Sequence, residues 1–172
     1  MPAHSKSEHD LQFCRVECAL TGLRAVGLLC AMSDNPPAPL SPPHVVGEGY
    51  DFETIRKALG GQQLPPNFVI HRDGVILGLC VGLRWHPLAE SDPAEVWVGR
   101  NDPLPKWGEK LAATTSPLPV YVRREEGGKW FYTGWHEVTG SSTELNAIKH
   151  RLKPPVITNI SRIIFLKRLP VA

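Results

Sequence analysis

The residues best suited to chemistry in this chain of 172 residues are the rings and cations crowded into Pro119–Val138. That stretch holds two of the five tryptophans and two of the three tyrosines, and Arg123, Arg124 and Lys129 surround its Arg-Arg-Glu-Glu-Gly-Gly-Lys turn. Ring faces stack on nucleobases, while guanidinium and ammonium groups neutralise phosphates. The combination therefore suits a surface that holds a base while cations hold its backbone. Trp85 stands between Arg84 and His86 at the end of an apolar run, and Arg100 precedes Asn101-Asp102. A carboxylate such as Asp102 could accept from the exocyclic amine of cytosine or adenine. Turn and helix-capping chemistry before Pro103 is the competing role. Asp51 is open in the same way, as a base contact beside Tyr50 or as the N-cap of a helix.

Catalytic motifs are incomplete. His71-x-Asp73 and Trp135-His136-Glu137 lack the spacing of zinc or HNH-like sites. Glu125 and Glu126 with Lys129 occupy a turn too exposed to hold a metal, and there is no convincing Ser/His/Asp order or glycine-rich phosphate loop. The chain is expected to be noncatalytic and to need no cofactor or metal. Cys14, Cys18, Cys30 and Cys80 fit neither a disulfide scaffold nor a paired zinc site, so reduced thiols in an intracellular protein are expected. Arg15, Glu17 and Arg24 interrupt the apolar stretch 11–32, which argues against a membrane span. The net charge of +2 diagnoses no partner. From Tyr121 onward, however, nine cations face four carboxylates, which permits a basic face.

These side chains need a scaffold. Five prolines in Asn35–Pro43 mark a linker over 35–44, separating an appendage at 1–34, whose apolar spacing fits a helix only loosely, from a domain at 45–172. Asp51 starts a helix over Phe52–Leu59, and Gly60-Gly61 stops it. Strands are predicted at 68–71 and 75–83 around Arg72-Asp73-Gly74, then at 95–99, 119–124, 129–138 and 160–169. A second short helix is predicted over 106–113, and 141–150 reads as a polar loop or short helix. Six short strands with two short helices imply an α+β fold built on a small mixed β-barrel.

Strand alternation divides the hairpin's rings. Trp130, Tyr132 and Gly134 share one side, and Phe131, Thr133 and Trp135 the other, unless a bulge intervenes at Gly134. Trp97 and Phe131 alternate with polar neighbours and are expected in the core.

The order of motifs resembles the PUA/SRA-like nucleic-acid-binding barrels, within them the SRA-like modified-base readers of modification-dependent restriction systems. The residues concerned are Tyr50-Asp51 before a helix, Gly78–His86 on a strand, Val96–Asp102, a Trp-bearing helix and the Pro119–Gly134 hairpin. Phe52 stands where the fuller SRA pattern has glycine. The resemblance implies a module that flips a base, of DNA and modified, into an aromatic and acidic pocket of Tyr50, Asp51, Trp85, Asp102 and Trp135. Arg84, Arg100, Arg123, Arg124 and Lys129 would contact the backbone, and a separate or fused nuclease or helicase would act as effector. A PUA-like RNA-binding module and a protein-interaction domain are the alternatives.

Overall fold

A computed structural model of the chain describes residues 44–62, 68–153 and 157–170. The appendage at 1–34, the linker as far as Pro43, and Cys14, Cys18 and Cys30 lie outside the described residues. The order is β1 (Gly49–Tyr50), α1 (Phe52–Leu59), β2 (Val69–Arg72), β3 (Val75–Gly82), β4 (Ala94–Gly99) and α2 (Leu104–Ala112). It continues with β5 (Leu118–Arg123), β6 (Trp130–Ser142), α3 (Leu145–Lys149) and β7 (Ile160–Arg168). The strands form one curled half-barrel in the order β2-β3-β5-β6-β7-β4, and β1 pairs with β6 off that path. The fold is α+β, with three short helices among the described residues where two were expected and the two-residue β1 as an additional strand. Among the described residues no helix is long and apolar enough to cross a membrane.

Local chemistry accounts for several boundaries. Asp51 caps α1 by accepting from the Thr54 N–H at 2.8 Å. Gly60 ends it in the left-handed region at φ 65°, which costs glycine little. Asp73 and Gly74, at φ 52° and 79°, turn β2 back onto β3. Helix α2 starts two residues before the predicted Lys106, since Pro105 sits in a first turn that needs no donor from it. β6 runs on to Ser142 because β7 supplies partners for the polar residues there, Ile164 for Ser141 and Ile163 for Ser142.

Three apolar clusters hold the sheet. The largest joins Val96 and Val98 of β4, Leu79 and Val81 of β3, Val120 and Val122 of β5, and Leu111 of α2. On another face, Ile55 of α1 meets Ile70, Cys80, Tyr121 and Tyr132. The third brings Ile148 of α3 onto Trp97 and Ile163. β7 is thus buried on both faces: Ile164 and Leu166 belong to the first cluster, Ile163 to the third. Trp97 is buried as expected, whereas Phe131 is only half-buried.

Gly108 lets α2 close onto β4. A Cβ there would lie 2.8 and 3.0 Å from the two γ carbons of Val98, itself fully buried. Gly108→Ala gains up to about 1 kcal/mol of helix propensity but overpacks a β-branched side chain, at a cost of about 1–3 kcal/mol. A net loss of about 1 kcal/mol is expected in urea unfolding, from the difference of those effects. Adding Val98→Ala should reduce the penalty specific to Gly108→Ala, and an unchanged penalty would show that contact with Val98 is not its cause.

Candidate functional site

A cavity of about 620 Å³ opens where the ends of β3, β4 and β5 and the start of β7 meet. Its aromatic wall is Phe68, Trp85, Trp97 and Trp130, together with the imidazole of His86. Trp85 is half exposed at the mouth, in the turn that follows β3, with the Arg84 guanidinium 5.2 Å from its ring centre. Trp130 opens β6, directly across the strand pair from Arg123, whose guanidinium lies 4.7 Å from its ring centre. Asn101 and Asn159 bridge the rim, with Asn159 Nδ2 donating to Asn101 Oδ1 at 3.0 Å. That bond leaves the pair with both a free donor and a free acceptor.

Trp97 is clamped at its backbone and at its ring. His86 Nδ1 accepts from the Trp97 N–H at 3.0 Å, which places the ring proton on Nε2. Burial pushes the His86 pKa down from 6.5 to about 4, so the imidazole is neutral and keeps its acceptor. The indole Nε1 donates to Glu95 Oε2 at 2.8 Å. Glu95 also accepts from Nε and Nη2 of Arg151, at 2.7 and 2.6 Å. Those Arg151 hydrogen bonds hold the Glu95 carboxyl below the usual carboxylate range, against the opposing effect of burial. A planar ring is thereby held at fixed pitch before any ligand arrives.

Of the five expected base-pocket residues, Trp85 lines this cavity, and Tyr50, Asp51, Asp102 and Trp135 do not. Tyr50 accepts from the Val45 N–H at 3.0 Å, donates to Glu48 at 2.8 Å and packs on His44. Asp51 is occupied by its cap, with both oxygens bound to Thr54. Asp102 points to solvent, 3.4 Å from Lys106 Nζ, and α2 has no side-chain cap, so the capping role considered for Asp102 is not the one it takes. Its neighbour Asn101 faces the cavity instead. Trp135 lies across the strand pair from Pro119, its indole N–H buried without a partner. A register shift between Val120 and Tyr121, with Gly134 at φ 105°, confirms the bulge considered at that glycine. Trp130, the other hairpin tryptophan, is the one in the wall.

The expected backbone cations have different surroundings. Arg84 pairs with Glu126 and Arg124 with Glu90, and Arg100 donates to the Ile160 carbonyl at 3.0 Å. Glu126 belongs to the Arg-Arg-Glu-Glu turn of the hairpin. Lys129 is exposed, its stem packed near Gly49. Arg123 alone of the five lines the cavity.

A second cavity of about 540 Å³ takes Arg124 and Phe131 from the hairpin, with His136 and Arg168 nearby. Adjacent strand residues point to opposite sides, so Arg123 and Trp130 line the first cavity while Arg124 and Phe131 line the second, which Tyr132 also reaches. Among the described residues no group of three or more His, Cys, Asp or Glu side chains is placed to hold a metal. No protein-family model, curated protein or solved structure matches the chain. Phe68, Trp97, His86, Asn101 and Asn159 were missed as wall residues. Alternation favoured a core role for Trp97, and the only signal for Asn101 was its place directly after a strand and before Asp102.

Proposed function

We propose that the chain is a noncatalytic nucleic-acid-binding module that inserts a flipped base, of DNA and modified, into the cavity between Trp85, Trp97 and Trp130. The observation that carries this reading is a concave site with three indoles, a rim of two amides and a single cation. Stacked bases gain about 1–3 kcal/mol each from aromatic faces, which offsets the few kcal/mol lost when a base leaves the duplex. The volume falls within the roughly 300–1,000 Å³ of small-molecule sites. Effector chemistry would come from a separate or fused nuclease or helicase. The order of motifs shared with SRA-like readers favours DNA over RNA.

Trp85 offers the cleanest test, since it is half exposed and outside the three apolar clusters. Trp85→Ala is expected to weaken binding of a base-modified duplex about tenfold, within the range for loss of one stacked ring, while leaving the melting temperature unchanged. Binding is compared at two salt concentrations for duplex DNA with and without modified cytosine or adenine, and for structured RNA. Consistently tighter binding to RNA would sink the DNA assignment, and an unaffected Trp85→Ala would remove the cavity from the interface.

A further inference from the structure

Among the described residues, the arginines that flank this cavity, Arg84, Arg100 and Arg151, are each matched by an oxygen of the protein, and Arg123 is not. Arg84 has Glu126, Arg151 has Glu95, and Arg100 has the Ile160 carbonyl. Among the described residues no hydrogen bond or ion pair engages the Arg123 guanidinium, which rests on the face of Trp130. It is half-buried, and among the described residues that line the cavity it carries the only charge, with no carboxylate beside it. Burial pushes the wall thiol of Cys80 far above its ordinary range, so that group is neutral too, although the Arg123 charge acts on it in the opposite direction. A partly desolvated cation with five donors and no acceptor leaves its site electrostatically incomplete.

We infer that the ligand supplies the missing anion: the cavity takes a planar ring that carries a negative group, with the ring against the tryptophans and the anion on Arg123. This deepens the base-reading proposal and rests on it. The anion could be the phosphate of the inserted nucleotide or an acidic substituent on the base itself. A guanidinium fork stacked on Trp130 is held in place to meet either planar carboxylate or phosphate oxygens in bidentate fashion. Arg123 then acts inside the site, as distinct from the backbone contact expected of it.

Free ligands separate the two sources. The intact chain is titrated calorimetrically, at constant ionic strength, with deoxycytidine, deoxycytidine 5′-monophosphate and 5-carboxydeoxycytidine, and with deoxyadenosine and its 5′-monophosphate. At least one anionic ligand is expected to bind about tenfold more tightly than its neutral nucleoside, the scale of a charge-assisted hydrogen bond. Arg123→Met, which keeps an apolar contact with Trp130, should abolish that difference, since the charge-assisted bonds are removed. A gain from the monophosphate identifies the phosphate as the source, and a gain from the carboxyl group alone identifies the base. Neutral and anionic ligands binding equally overturns the inference but leaves base reading standing. Binding of none of the five sinks the base-reading proposal itself. Should Arg123→Met fail to fold, the comparison on the unaltered chain still decides.

Discussion

Acidification from pH 7 to pH 5 is expected to remove about 4 kcal/mol of folding stability, about 2 kcal/mol from each of two buried histidines. Burial lowers the pKa of His86 and of His136 from 6.5 to about 4. For His136 the bond to the Gly134 carbonyl at 3.2 Å opposes that shift in part. Because the folded values lie below the unfolded one, the unfolded chain takes up protons first as the pH falls. The stability is therefore complete above about pH 6.5, is lost between there and about pH 4, and falls no further on account of these two groups below that. His44, also lowered by burial, acts in the same direction. Glu95 follows at lower pH. Its carboxyl is held down by Arg151, so its contribution is present above 4.5 and disappears as the pH drops through its folded value. In urea the expected loss is a midpoint shift of about 2 M at a slope of about 2 kcal/mol/M. His86→Gln, whose amide oxygen can still accept from the Trp97 N–H, should halve the pH dependence. A midpoint unchanged between pH 7 and 5 would mean that both rings protonate within the fold.

Arg151→Met is expected to destabilise the domain by about 3 kcal/mol, the low end for a broken buried ion pair because Arg151 is itself partly exposed. The loss comes from stranding the Glu95 carboxylate, which is 6% exposed and would retain only the Trp97 indole as partner. Adding Glu95→Gln removes the stranded charge while keeping an oxygen for that indole. The double variant should therefore recover at least half of the deficit in a double-mutant cycle. Additive losses would show that Arg151 contributes through packing and its bond to the Ala147 carbonyl rather than through Glu95. Binding should respond as well, because the same carboxylate fixes the pitch of the Trp97 ring. Arg151→Met is thus expected to weaken base binding even at temperatures where it remains folded, and the double variant to restore part of that affinity.

His86 and Glu95 converge on one residue. His86 holds the backbone of Trp97, and Glu95, itself held by Arg151, fixes its ring, so stability and preorganisation of the cavity share a support. Neither partnership was legible in the chain. The histidine lies eleven residues from Trp97 and the arginine fifty-six from Glu95.

Features governed by neighbouring residues could be read from the sequence directly. Asp51 and Gly60 bound α1 through hydrogen bonds spanning a few residues, Asp73-Gly74 turn a hairpin by their own dihedrals, and alternation separates Arg123 from Arg124. The α+β barrel class follows from the same local patterns, because strand and helix periods depend on side-chain spacing alone.

Pairing across the sheet decided the rest. The parallel contact of β3 with β5 and the placement of β7 between β6 and β4 join segments far apart in the chain, and no local pattern specifies such partners. Those contacts bring Asn101 to the cavity rim while Asp102 points to solvent, put Trp130 in the wall and leave Trp135 outside it, and give the buried core residue Trp97 a part in the cavity lining as well. The sequence by itself determined which residues could stack on a base or meet an anion. Tertiary structure alone decided which of them share one cavity and which cations the protein neutralises for itself, because burial and ion pairing depend on distances through space that strand order and register set.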